Sequence, residues 1–327
     1  MKQIDTDRHW ASLQETSITL GIRILTWVYR VCGRWAFRLF LRPVVSYYFL
    51  SGRIARNASL EYLRRLGHNY PELGLSGTWI NSYRHFLSFG ENLLDKIIVW
   101  TGSITPDQVD FPNRKLLLDL IDQKRGAILL SAHIGNLEIC HAIANQRGQI
   151  RLNVLVHTKH AEKFNRLLGG RGGSATIQLI QVTELSPAIA IDLQNKIERG
   201  EFLVMVGDRI PINGSRTVWA DFLGKVAEFP QGPYLLASLL HCPVYTLFCF
   251  KVDGRFQVDL ELFAESIRIP RAEPQRRQML ETLARRYAEQ LEVHCRTAPL
   301  QWFNFFPYWN PSTDAEQSKT DAKAGRS

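Results

Sequence analysis

Gly126-Ala-Ile-Leu-Leu-Ser-Ala-His-Ile-Gly-Asn-Leu-Glu-Ile-Cys140 is the stretch on which the reading of this chain turns. Ala127 to Ala132 is a short apolar run, long enough for a buried strand and too short for a helix of its own. The run ends at His133. Gly135 and Asn136 then supply a turn residue and a capping residue, and Leu137, Ile139, Ala142 and Ile143 continue at helical spacing. His133 therefore stands where a strand ends, and Glu138 about one turn into the next helix. Ligands and catalytic groups collect at the carboxyl ends of strands in open α/β sheets. A histidine held there by a carboxylate suits general-base chemistry, because the carboxylate selects the tautomer and stabilises the imidazolium. Spacing alone does not decide the matter, since His157 and Glu162 repeat it. A strand-end histidine bonded to a carboxylate for purely structural reasons would carry the same signature. The buried run before His133 and the glycine and helix start after it favour the catalytic reading.

Downstream of Gly126, apolar strand-like runs alternate with helical patterns. The runs are Ala127–Ala132, Leu152–Val156, Ile177–Val182, Phe202–Val206, Val244–Phe250 and Phe256–Leu262. Helices are predicted at Leu137–Gln146, Glu162–Leu168, Pro187–Glu198 and Tyr234–Leu240, with a long one from Pro274 to Arg296. Such alternation implies an α/β fold with a mostly parallel central sheet flanked by helices.

Upstream, Ala58–Leu66, Gly77–Trp100 and Arg114–Gln123 read as helices, with Tyr70–Ser76 and Pro106–Pro112 as connections. Ile18 to Leu50 is rich in aliphatic and aromatic residues but interrupted by Arg23, Arg30, Arg34, Arg38 and Arg42, whose spacing puts them on one side of a helix. Ile22, Leu25, Val28, Phe37 and Leu39 fall opposite. Arginine at the centre of a membrane span is costly, so an amphipathic helix lying in the plane of an anionic membrane surface is the better fit. The alternative is a core-packing helix with a solvated arginine face. Pro43 is expected to break or bend the helix. These features divide the chain into an N-terminal membrane-associated segment (1–57), a main domain (58–310) and a polar, disordered tail (311–327).

With 327 residues, 45% of them hydrophobic, the chain can bury a large core, and its net charge of +9 suits an acidic partner. Its five cysteines form no Cys-x-x-Cys pair, which argues against a zinc knuckle or disulfide framework. No metal-ligand set stands out, and no nucleic-acid-binding module is recognisable. The first ten residues are polar and include Asp5 and Asp7, unlike a cleavable signal peptide.

Two further patches carry chemistry. In Val204-Met-Val-Gly-Asp-Arg209 an apolar strand ends in Asp208 and Arg209, read either as substrate-positioning groups or as a structural ion pair. In the loop beyond them Gly224 and Gly232 mark tight turns. Near the end, residues 302–309 are dense in aromatics that either close a core or line a lipid-facing cleft, core closure being the default.

In this order, the patches resemble the late lipid A acyltransferases of the lysophospholipid acyltransferase superfamily, built on a His-x-x-x-x-Asp/Glu motif. Here the motif reads His133-Ile-Gly-Asn-Leu-Glu138, and after it come Asp208, the turn Phe222-Leu-Gly224 and Pro299-Leu-Gln-Trp302. The opening (Trp10, Gly21, Tyr29-Arg30, Gly33-Arg34) resembles a subgroup tied to aryl-polyene-like lipid pathways. The resemblance spans about residues 10 to 309. The chain departs from the family pattern at Val156-His-Thr-Lys-His160, at Phe229 and at Trp302-Phe-Asn-Phe-Phe306, places where acceptor recognition is expected.

The resemblance implies acyl transfer from a thioester, on acyl carrier protein or coenzyme A, to a hydroxyl of a lipid or glycolipid acceptor. It requires no cofactor or metal. His133 would be the base and Glu138 its support. Backbone N–H groups of Gly135 and Asn136, or Arg209, would meet the oxyanion. Asp208, Arg209 and Gly224 would contribute to substrate binding. Lys159, Lys163, Arg166, Arg171 and Arg216 would face an acidic carrier protein. The implied location is the cytoplasmic face of a bacterial inner membrane, held peripherally or monotopically. A thioesterase or esterase using water, or a non-catalytic carrier- or lipid-binding protein on the same scaffold, are the alternatives. The absence of a Gly-x-Ser-x-Gly elbow counts against a serine hydrolase.

Overall fold

In the computed structural model of the chain, the described residues are 33, 35, 37–100, 108–140, 150–156, 177–181, 186–210 and 216–309. The expectations for Arg23, Arg30 and Arg34, for the part of the Leu137–Gln146 helix beyond residue 140, for the helix at Glu162–Leu168, for the basic residues from 159 to 171, for the pair His157/Glu162 and for the tail lie outside them.

The main sheet has seven strands: β1 (Val109–Asp110), β2 (Ala127–Ser131), β3 (Leu152–Val156), β4 (Ile177–Gln181), β5 (Phe202–Val206), β8 (Val244–Val252) and β9 (Arg255–Ala264). They run in the order β1-β9-β8-β2-β5-β3-β4. Every neighbouring pair is parallel except the hairpin β8–β9. β2 lies between β8 and β5 and is buried along its whole length. That burial is why it reads as an unbroken apolar run: parallel strands covered on both faces have no solvent side to alternate toward. Successive β2 residues serve different cores. Ile128 and Leu130 join the larger cluster, Ala127 and Leu129 the smaller one on the other face.

Helices α2 (Arg53–Asn69), α5 (Pro187–Glu198), α6 (Gly232–Leu240) and α7 (Gln275–Thr297) bury apolar residues in the larger cluster. The C-terminal part of α3 (Trp79–Trp100) and α4 (Arg114–Asp122) cover the other face. An antiparallel hairpin, β6 (Thr217–Phe222) and β7 (Lys225–Pro230), stands apart from the main sheet. The sequence pattern does not predict these two strands. Their turn is Leu223-Gly224, both at positive φ (49° and 72°), the conformation that a two-residue hairpin requires.

The N-terminal region differs from expectation in two ways. A helix, α1, runs over 37–51 unbroken through Pro43 and stops at Gly52. After it, α2 runs on across residues 57 and 58. Phe37, Leu41, Val45 and Phe49, four apart on α1, pack on Phe86 and Leu94 of α3, whereas Leu39 points outward. The aromatics near the C-terminal end take the core role: Trp302, Tyr308 and Trp309 are buried, with Trp309 stacked on Phe222 at 5.8 Å between ring centroids.

His85 of α3 ties these layers together. One ring nitrogen meets the Ser59 hydroxyl of α2 at 3.0 Å, and Nε2 meets the Trp302 carbonyl at 3.0 Å. Burial lowers its pKa to about 4, and the bond to the Trp302 carbonyl only partly opposes that. The ring is therefore neutral near pH 7, with Nε2–H the donor. In the unfolded chain the same group takes a proton below pH ~6.5. Stability from this residue is thus full above ~6.5 and declines as pH falls toward 4, by about 3 kcal/mol in all. Unfolding measured against pH should show a steeper loss between these limits in the native chain than in His85→Gln, which keeps a neutral donor and acceptor. Equal slopes would remove His85 as the cause.

Candidate active site

β2 and β5 lie side by side in parallel register, with Ser131 opposite Val206. Both strands therefore end at the same edge, and their exit segments meet there: His133 after β2, Gly207-Asp208-Arg209 after β5. Gly207 donates its N–H to the Ser131 carbonyl at 2.8 Å, and Tyr287 of α7 donates its hydroxyl to the same carbonyl at 2.7 Å. A Cβ on Gly207 would lie 2.9 Å from Leu130 and from the Tyr287 ring, so a side chain there would force these two neighbours to shift.

Asp208 is fully buried, and both its oxygens are taken. Oδ1 meets His133 Nδ1 at 2.8 Å. Oδ2 accepts from the His133 backbone N–H at 2.8 Å and from the Trp302 indole N–H at 2.9 Å. Burial alone would raise the carboxyl pKa. The His133 charge, the two His133 hydrogen bonds and Arg209 outweigh it and hold it below the ordinary carboxylate range. An ionised Asp208 can only accept, so in the neutral imidazole Nδ1 carries the proton and Nε2 presents its lone pair. His133 itself is half-buried. The carboxylate at Nδ1 is thus Asp208 from the neighbouring strand, in the place the motif spacing assigns to Glu138. Glu138 sits in the first helical turn after the loop, with Lys96 of α3 at 3.7 Å. Asp208, expected to position substrate, has its oxygens already engaged inside the protein.

The Gly135–Asn136 segment departs from its expected role for a similar reason. The Gly135 N–H donates to the Gln301 carbonyl at 2.8 Å and the Asn136 N–H to the Cys249 carbonyl at 2.6 Å. Neither backbone donor is left for an oxyanion. Gly135 has φ +58°, and its carbonyl accepts from Asn92 of α3 at 2.9 Å. Gly224 belongs to the β6–β7 turn, beside Asn69 and next to Leu223, whose N–H is held by Glu292; it is a turn residue and not part of this cluster. Arg209 donates to the Phe303 carbonyl at 3.1 Å and lies over the Phe306 ring, while its Nε is buried without a partner.

Residues 301–304 complete the cluster as a strap. Besides Gln301 and Trp302, Phe303 donates its N–H to the His133 carbonyl at 2.8 Å. In the sequence Trp302 stands out only as the end of a motif. No local signal marks Asn92 or Cys249, which act through one side-chain amide and one backbone carbonyl. Among the described residues no group of three His, Cys, Asp or Glu side chains could hold a metal ion.

Close packing at Gly135 yields a test. A Cβ there would overlap the Cys249 carbonyl oxygen, and the positive φ adds strain. At Gly74 φ is also positive, at 60°, but the added Cβ meets nothing. Gly74→Ala should cost about 1–2 kcal/mol from backbone strain alone. Gly135→Ala should lower the thermal midpoint well beyond that; equal shifts would mean the loop can move aside.

No curated protein matches the chain. The family model for the bacterial lipid A biosynthesis acyltransferases matches residues 86–310, a span that contains the loop at His133, the turn at Asp208 and the strap at Trp302. The chain belongs to the bacterial lipid A biosynthesis acyltransferase family.

Proposed function

We propose that the chain transfers a fatty-acyl group from an acyl thioester, on acyl carrier protein or coenzyme A, to a hydroxyl of a lipid or glycolipid acceptor. The observation that carries this reading is the anchoring of His133 Nδ1 on the buried Asp208, which leaves Nε2 as the base. Nε2 takes the acceptor hydroxyl's proton as its oxygen attacks the thioester carbonyl carbon. The tetrahedral adduct collapses by breaking the C–S bond, and the imidazolium returns the proton to the leaving thiolate. No covalent acyl-enzyme is needed. Asp208 holds the tautomer and stabilises the imidazolium, and Glu138 adds negative charge from the first helical turn.

The acceptor's lipid nature is supported by an unusual surface. No helix among the described residues is long and apolar enough to cross a membrane. Yet the outer side of α1 and Trp35, two residues before it, expose large apolar groups: Trp35 (76%), Tyr47 (68%) and Leu50 (65%), together with Leu39, Phe40, Val44 and Tyr48. Ile54 of α2 and Trp79 and Ile80 of α3 are exposed as well. A soluble surface rarely gathers so many large apolar groups, and Trp and Tyr favour the membrane interface. This face would lie in the headgroup plane at the cytoplasmic side of a bacterial inner membrane. Arg42 is available to headgroup phosphate, whereas Arg38 is already paired with Glu91.

Purified chain in detergent, given a labelled acyl thioester and a total lipid extract, should yield a labelled lipid. The product should vanish in His133→Ala, and Asp208→Asn should slow transfer on the order of 10³-fold or more by favouring the wrong tautomer. Thioester loss without a lipid product would replace transfer by hydrolysis. For the surface, Leu39→Glu/Tyr47→Glu/Leu50→Glu should abolish co-flotation with vesicles containing phosphatidylglycerol. Unchanged flotation would exclude this face as the contact.

A further inference from the structure

A cavity of about 300 Å³ lies behind the His133 loop. One wall is a single face of α3, formed by Ser88, Glu91, Asn92 and Asp95; Asn136, Gln301 and Lys251 stand on the opposite side, with Phe250 and Phe256 contributing apolar surface. We propose that this cavity takes the pantetheine arm of the acyl donor, with the Asn136 side-chain amide donating to one of the arm's carbonyl oxygens. The inference rests on the acyltransferase reading above and places its donor.

Three observations select that chemistry. The first is an incomplete hydrogen-bond set. Asn136 is 1% exposed; its Oδ1 accepts the Glu138 N–H at 3.1 Å, and its Nδ2 has no partner. A buried amide donor left unmade costs about 1–3 kcal/mol, which an incoming acceptor atom recovers. The second is charge balance. Arg38 grips Glu91 at 3.0 and 3.1 Å, and Lys251 Nζ meets Asp95 at 2.8 Å. Two cations and two carboxylates line the space, so it does not select a phosphate or another anion; a neutral ligand with carbonyl groups fits. The third is rigidity next to the chemistry. Gln301 spends its whole side-chain amide on Lys251, accepting from its N–H at 2.8 Å and donating to its carbonyl at 2.7 Å. Asn92 spends its amide nitrogen on the Gly135 carbonyl. Both walls are thus braced against the segment that carries His133, three residues before Asn136. A neutral arm with amide carbonyls and an apolar dimethyl shoulder, ending in the thioester, matches a polar cavity with two phenylalanines whose lining includes Asn136, three residues along the chain from His133.

The test combines binding with kinetics. Asn136→Asp keeps the oxygen that caps Glu138 and replaces only the unpartnered donor. Ser88→Phe fills the space from α3. Calorimetric titration of the full chain in detergent with pantetheine and with coenzyme A reads binding without turnover. Both variants should weaken binding about tenfold or more, the equivalent of one lost hydrogen bond. In transfer assays both should raise KM for the acyl donor and leave KM for the lipid acceptor unchanged. A rise seen with both acyl coenzyme A and acyl carrier protein supports the shared arm, and a rise with one alone overturns it, because both donors carry the same arm. Binding and KM untouched by either variant, or a rise in the acceptor's KM instead, would overturn the proposal. Pantetheine binding that is lost in the variants, in a chain that transfers nothing, would leave the cavity standing and sink the acyltransferase reading.

Discussion

A carboxylate sealed from water is tolerable only when donors replace the hydration it has lost. Asp208 meets that condition with three donors drawn from two distant places: the ring and backbone of His133, and the indole of Trp302. Much of the architecture at this edge of the sheet serves to deliver them. Parallel pairing brings the ends of β2 and β5 level. Gly207 and Gly135 let the backbone pass where a side chain would crowd its neighbours. The strap at 301–304 brings the indole and pins the His133 carbonyl from the far side. The His133 ring is oriented by the same bonds that make the buried charge bearable, so stability and the proposed chemistry share one set of contacts.

Helix α3 supplies the counterpart on the other side of the loop. His85 holds the Trp302 carbonyl, Asn92 the Gly135 carbonyl, Asp95 the Lys251 ammonium, and Lys96 faces Glu138. Spaced by seven, three and one, these residues track one side of the helix, which runs like a rail along the back of the loop. The other side of α3 meets the aliphatic and aromatic row of α1. A helix that touches the exposed apolar surface through one partner and the His133 loop through its own side chains links the two physically.

The sheet was legible because its strands are buried on both faces: β2, β3 and β5 appear as plain apolar runs, and their bounds agree with the sequence pattern to within a residue. The hairpin β6–β7 was not, since its turn is Leu223-Gly224 and lacks the usual Asn-Gly or Asp-Gly signal. The motif at 133–138 suggested a local partner for the histidine. Which strand lies beside β2 is a three-dimensional fact, and only that neighbour relation puts Asp208 at Nδ1. Backbone donors at Gly135 and Asn136 are spent on carbonyls at 301 and 249, contacts no spacing rule encodes. At Pro43 the loss of one N–H and the crowding of one carbonyl are too local to stop a helix anchored by four buried residues on its other side.

The strap has a temporal meaning as well. Ribosomes release residues 133 and 208 long before residue 302, so the indole is the last of the three donors to be made. During that interval Asp208 lacks one of its three donors and the His133 carbonyl lacks the Phe303 N–H. The strap therefore completes the donor set of Asp208 only after every strand of the main sheet has been made.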